Sequence, residues 1–254
     1  MKVALLASLF FLTALLYASV GFGGGSTYTA LLVLTGANYL IIPVISLVCN
    51  IIVVSGNSLS YLRAGLISWS RIWPFLILSI PMAWLGGIIP VSQTLFIGLL
   101  ALALLFAGFS LLFRPTPKPN PELAGSLPLN AIIGGGLGLL SGIVGIGGGI
   151  FLAPILHRIG WGQAKEIAAV CSLFILVNSI SGLSGQLIKL GGLEQLELTR
   201  PYWLLAPAVL LGGFIGNRMS LKFFSGDTVR KLTAVLVLFV AVRLVWKFLT
   251  LTLS

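Results

Sequence analysis

Long apolar runs dominate this chain. Segments 3–20, 25–36, 40–62, 70–89, 93–113, 128–143, 148–158, 166–188, 201–220 and 229–250 carry few charged residues, and those lie towards the segment ends. A helix needs about 20 apolar residues to cross the hydrocarbon core of a bilayer, and most of these runs are that long. A soluble fold would have to bury several such stretches at once. The runs therefore predict an all-α polytopic membrane protein. Composition agrees: 58% of residues are hydrophobic and 8% are charged, against about a quarter charged in ordinary soluble domains. The balance of 15 Lys and Arg to five acidic residues gives a formal charge of +10. In a soluble protein that excess would suggest nucleic acid. Here the basic residues fall between apolar runs, where the positive-inside rule puts them. The expected partners are a lipid bilayer and a small anion, with no nucleic acid and with a monomer or homodimer both open.

Two runs, 25–36 and 148–158, are too short for a perpendicular span, and each follows a glycine triplet. The triplets lie in "VGFGGGS", Val20–Ser26, and "VGIGGGI", Val144–Ile150. Glycine has no Cβ, tolerates positive φ and lets backbone or ligand come close. Three together are poor helix formers, and the N–H and C=O groups they free cannot be satisfied by hydrocarbon. Such backbone belongs where protein buries it or where it faces a polar cavity. The helices that follow would start near the bilayer interior, where their free N–H groups and partial positive charge favour an anion. The candidate binding residues here are Gly23, Gly24, Gly25, Ser26 and Thr27, with Gly147, Gly148 and Gly149. The other reading is helix packing, for which membrane helices commonly use glycine.

The motifs belong to a wider repetition. "VCN" at Val48–Asn50 matches "VCS" at Val170–Ser172, "NSLS" at Asn57–Ser60 matches "NSIS" at Asn178–Ser181, and "PMAWLGG" at Pro81–Gly87 matches "PAVLLGG" at Pro207–Gly213. With the glycine motifs the offsets are 124, 122, 121 and 126. The order and near-constant offset divide the chain into a first membrane repeat, 1–113, a polar proline-rich linker, 114–127, and a second repeat, 128–254. Internal repeats in a polytopic protein point to a secondary transporter with its site at the repeat interface. Asn50, Asn57, Ser172 and Asn178 are polar and repeat-related, which adds them to the candidate site; the alternative is interhelical hydrogen bonding. Cys49 and Cys171 also correspond, and either pack or line the pathway. Neither shows metal-ligand spacing or a disulfide framework.

If each glycine motif turns the chain back, ten basic residues share one face: Arg63, Arg71, Arg114, Lys118, Arg158, Lys165, Arg218, Lys222, Arg230 and Lys231. Lys2, Lys189, Arg200, Arg243 and Lys247 lie opposite. That face is then cytoplasmic, the linker with it, and both termini are outside. The halves become inverted-topology repeats, with about eight full spans plus two short helices after the breaks. If each motif is only a kink, the asymmetry weakens. Lys2 ahead of an apolar run also fits a signal peptide, but the run leads into more apolar sequence and takes part in the repeat.

Glu122, Glu166, Glu194, Glu197 and Asp227 all fall in loops or at helix boundaries. No carboxylate sits at the centre of a span, where a proton- or sodium-coupled relay usually places one. Export of an anion does not require one. With the cytoplasm negative, each charge leaving gains about 2.3 kcal/mol per 100 mV. Arg63, Arg71 and Lys189 set topology or draw an anion to the mouth, and His157, the single histidine, stands beside Arg158. There is no nucleophile–base set, metal cluster or nucleotide loop, so neither an enzyme nor a cofactor is expected. An anion channel and a non-transporting scaffold are the competing classes.

The pair "VGFGGG" and "SGIVGIGGGIFLAPIL", the latter at Ser141–Leu156, resembles the sulfite exporter TauE/SafE family, also called the TSUP permeases. "LLGGFIGNRMS", Leu210–Ser220, resembles the LGxxxGxxLS region of that family. The likeness runs over essentially the whole chain. It departs where the first motif continues as "STYTALLVL" without a proline, and at Cys49–Asn50 and Cys171–Ser172, where the family often has Thr–Ser. The resemblance implies movement of sulfite, sulfoacetate, other organosulfonates or small carboxylates across the cytoplasmic membrane. With the internal repeats, the expectation is an exporter that works by alternating access.

Overall fold

The computed structural model describes residues 2–113, 126–191, 196–219 and 226–253, without the side chains of residues 2, 226–230, 232, 233, 236 and 253. Most of the linker, with Arg114, Lys118 and Glu122, lies outside them, as do Lys222 and Glu194. The described residues are helical: α1 Lys2–Ser19, α2 Gly25–Leu34, α3 Ile42–Arg63, α4 Trp69–Ile88, α5 Gln93–Leu112, α6 Leu127–Val144, α7 Gly149–Arg158, α8 Ala164–Leu190, α9 Leu205–Met219 and α10 Gly226–Leu253, with a 3₁₀ turn at Arg200–Tyr202. The short runs are short helices, each starting at the third glycine of its triplet.

Among the described residues, five helices are long and apolar enough to cross a membrane: α3, α4, α5, α6 and α8. The eight expected full spans add α1, α9 and α10. At 1.5 Å per residue, the 18 residues of α1 reach about 27 Å, just under the hydrocarbon thickness. The 15 described residues of α9 reach about 22 Å, and a 3₁₀ turn lies just ahead of them.

Small residues decide how the helices meet. Gly134, Gly138 and Gly142 of α6 lie against the carbonyls of Phe75, Ser79 and Ala83 of α4. A four-residue step on both helices makes one close, parallel contact of the kind glycine permits between membrane helices. Gly212 and Gly216 of α9 meet the carbonyls of Phe11 and Leu15 of α1 in the same way. The α3 and α8 pair runs antiparallel: Ser58 bonds Ser172, while Asn50 and Ser179 both border Gly147. So does the α5 and α10 pair, with Gly98 against Phe248 and Gly108 against Leu238. Exchanging α1–α5 with α6–α10 maps these packings onto one another: α4 on α6 becomes α9 on α1, α2 on α3 becomes α7 on α8, and α3 on α8 and α5 on α10 map onto themselves.

The outer faces carry Leu9, Leu102, Phe106, Leu210, Phe214, Phe239 and Trp246, all exposed. The interior holds a core built on Phe10, Tyr28, Phe96 and Phe151, and a second around Ile72, Phe75, Trp161 and Phe174. Arg63, Arg71, Arg158, Lys165 and Arg218 gather at one end of the bundle. The α3–α4 and α7–α8 connections meet there through Arg71, whose guanidinium donates to the Trp161 carbonyl and stacks over its indole at 3.9 Å. Asn217 joins the end of α9 to Ser60 on α3. Lys189 and Arg200 lie at the opposite end.

Candidate functional site

Each glycine triplet places a left-handed residue immediately before its short helix. Gly24 (φ 87°) and Gly148 (φ 78°) are the N-caps of α2 and α7, and neither helix start has a side-chain cap. An L side chain rarely adopts that φ. The first helical bonds run to the caps: Thr27 and Tyr28 N–H to the Gly24 carbonyl, Phe151 and Leu152 N–H to that of Gly148. Among the described residues, the N–H groups of residues 23–26 and 146–150 make no hydrogen bond. Two sets of unbonded donors therefore stand at two helix N-termini.

The starts converge. Gly23, Gly24, Gly25 and Ser26 border one side of a cavity of ≈ 10 Å³, and Ile146 and Ile150 border the other. That is the room of about one water. Asn50 joins the motifs. It lies eight residues into α3 and is fully buried, and its Nδ2 donates to the Ile146 carbonyl at 3.0 Å. Its amide fills the space that side chains on Gly23 and Gly25 would need, and a Cβ on Gly147 would stand 2.9 Å from its Nδ2. A Cβ on Gly25 would also stand 2.6 Å from the Ile146 carbonyl oxygen. These glycines are required because another group already occupies the place of their side chains. Asn50 Oδ1 has no hydrogen-bond partner, and neither does the buried Ser179 Oγ beside Gly147. A buried polar atom left unmatched costs about 1–3 kcal/mol; retaining two at one place suits a ligand.

The other candidates divide. Ser26 lines the cavity. Thr27 shares a hydrogen bond with Tyr17 at 2.9 Å, and Thr29 donates to Ser46, which donates to the Gly25 carbonyl. Gly148 packs on Phe174, and Gly149 packs on Ile175 and the Cys171 carbonyl. Ser172 pairs with Ser58 at 3.0 Å. Asn178 donates back to the Phe174 carbonyl, leaving Oδ1 unpartnered, and Asn57 is buried with neither amide atom bonded. Cys171 lies in the apolar cluster with Phe174. Cys49 borders a larger cavity of ≈ 210 Å³ between α3 and α8, lined by Val44, Leu183, Leu187 and Trp203. That space is apolar and offers nothing to hold an anion, so size does not mark the site. Motif reading missed Ser179, Tyr17 and the Ile146 carbonyl. Ser179 stands inside the repeated "NSIS", one residue after the asparagine that was singled out.

Comparison with known proteins agrees with this architecture. Residues 6–244 match the family described as "Sulfite exporter TauE/SafE". The chain is 33% identical over 250 residues to "Probable membrane transporter protein y4hK" of Sinorhizobium fredii, covering 95% of this chain and 97% of that one. No solved structure matches. The match spans both glycine motifs and both halves, and so the chain belongs to the sulfite exporter TauE/SafE family of membrane transporters.

Proposed function

We propose that the protein exports small sulfur-containing anions, such as sulfite, sulfoacetate or other organosulfonates, by alternating access. The observation that carries this is the meeting of two uncapped helix starts around one small cavity, with the buried Asn50 amide joining the two glycine motifs beside it. Unbonded N–H groups with aligned helix dipoles suit an oxyanion. Gly23, Gly24, Gly25, Ser26, Gly147 and Asn50 form its cradle, with Ser179 added to them. Asn57 and Asn178 lie further along the same two helices. A space of ≈ 10 Å³ is far smaller than an oxyanion. The halves must move apart to load it, which favours a carrier over an open channel.

The halves are inverted-topology repeats. Support comes from the antiparallel pairing of α3 with α8 and of α5 with α10, since a two-fold that relates antiparallel helices lies across them, in the membrane plane. The basic end is cytoplasmic, and the chain crosses in eight full spans and two short helices with both termini outside.

The test is counterflow in proteoliposomes with labelled sulfite, sulfoacetate, alkanesulfonates and carboxylates, with and without an imposed potential. Saturable exchange of a sulfur anion is expected. If none of these anions moves, the reading fails.

A further inference from the structure

We propose that the site takes sulfite as hydrogensulfite, a monoanion that keeps an O–H, and not as the dianion. This rests on the function proposed above and names the form of its substrate.

Charge is the first argument. The cavity is lined by backbone, the Tyr17 and Ser26 hydroxyls and apolar side chains, with the Asn50 amide against the glycines behind it. The phenols and thiols on the surrounding helices are Tyr17 on α1, Tyr28 on α2, Cys49 and Tyr61 on α3, and Cys171 on α8. The charged and basic groups on the helices around Asn50 stand at their ends: Arg63 on α3, His157 and Arg158 on α7, Lys165, Glu166 and Lys189 on α8, and Arg218 on α9. Among the described residues no cation reaches the glycines. Each helix N-terminus supplies roughly half a positive charge, so two supply about one. That balances a monoanion and leaves a dianion with about one uncompensated charge in a low-dielectric interior.

Hydrogen bonding is the second. The bond from Nδ2 to the Ile146 carbonyl fixes the Asn50 amide, so the fully buried, unpartnered Oδ1 is an acceptor. Only a donor satisfies it. The sulfite dianion has none, and hydrogensulfite has one. The Ser179 hydroxyl, also unpartnered and buried, can donate to a ligand oxygen.

The test is initial sulfite flux in proteoliposomes at equal pH on both sides, stepped from mildly acid to mildly alkaline. Flux into protein-free liposomes is subtracted to remove diffusion of dissolved sulfur dioxide. An alkanesulfonate, a monoanion throughout, is followed in parallel by its flux or by its inhibition of sulfite. The sulfite rate at fixed total sulfite is expected to fall about tenfold for each pH unit above the second ionisation of sulfite, while the sulfonate stays flat. Phenols and thiols ordinarily titrate above neutrality, and a fall caused by His157 or another protein group would lower the sulfonate flux as well. The Asn50→Ser variant is expected to lower the ratio of sulfite to sulfonate flux about tenfold, because the site no longer favours a ligand bearing O–H. A sulfite rate that is flat or rises with pH overturns the proposal and leaves the exporter reading standing. Sulfite and sulfonate falling together also overturn it, since the proton then sits on the protein. No flux of either anion overturns both.

Discussion

Hydroxyls follow the first glycine triplet, while methyls and a ring follow the second. Ser26, Thr27 and Thr29 follow the first triplet, and Tyr17 and Ser46 bond to them or to the backbone beside them. At the corresponding places after the second stand Ile150, Phe151 and Ala153, with Ala168 where Ser46 would fall. Yet the backbone plan is shared: left-handed caps at Gly24 and Gly148, ten-residue helices, unbonded N–H groups. Asn50 reaches both motifs, whereas its counterpart Ser172 turns to Ser58. Correspondence between the halves is thus a property of chain path and helix packing. The hydrogen-bonding chemistry is concentrated on one side. A carrier can rock about a symmetric frame and still bind its cargo asymmetrically.

That contrast breaks first at the glycines. Gly25→Ala forces a methyl against the Ile146 carbonyl and the Asn50 amide, whereas Gly149→Ala meets chiefly the flexible Ile175 side chain. Gly25→Ala should cut sulfite counterflow about 100-fold, the scale of a misplacement of roughly 1 Å in a binding constellation. Gly149→Ala should cut it about tenfold or less. Equal losses, in protein that elutes as folded, would erase the distinction. The next effect is at the paired α3 and α8 positions. Asn50→Ala should lower flux about tenfold or more, as expected when a hydrogen bond to a charged ligand is lost. Ser172→Ala should leave flux within about threefold, losing only the hydrogen bonds to Ser58 and the Val54 carbonyl; a larger loss there would make the two positions equivalent after all. A third comparison reads stability. Ser46 accepts from Thr29 and donates to Gly25, so Ser46→Ala should lower unfolding stability in detergent by about 1–2 kcal/mol, measured by thermal melting. The smallest effect concerns α7, which is held from its far end by Arg71 on Trp161. Arg71→Met should cost about 1 kcal/mol and raise hydrogen exchange around residues 157–163 while leaving 23–28 unchanged.

Much of the frame was legible in the residues. Apolar runs of span length placed the helices, and the positions of the short ones after each triplet follow from glycine's poor helix formation. Order and offset exposed the correspondence of the halves, because both copies retain the same small residues where helices touch. Asn50 stood out as a polar residue in an apolar run. Its bond to Ile146, 96 positions away, could not be read from any local pattern, because it depends on how α3 sits against the α6–α7 connection. Ser179 was visible in the repeated motif but carried no mark separating it from Ser181, which bonds the Ile80 carbonyl on another face of α8. Cys49 and Cys171 correspond in sequence, yet one borders an apolar cavity and the other is packed in a core.

By itself the sequence determined a helical membrane protein with two glycine breaks, an excess of basic residues between spans and no carboxylate at mid-span. Those follow from composition and spacing, which hydrocarbon constrains directly. Only the tertiary structure decided that the two breaks face each other, that Asn50 fills the gap their missing side chains leave, and that an acceptor and a hydroxyl remain unmatched beside them. Such facts arise from contacts between residues far apart in the chain. Physically, glycine specifies what is absent from a position, and only packing shows which group takes its place.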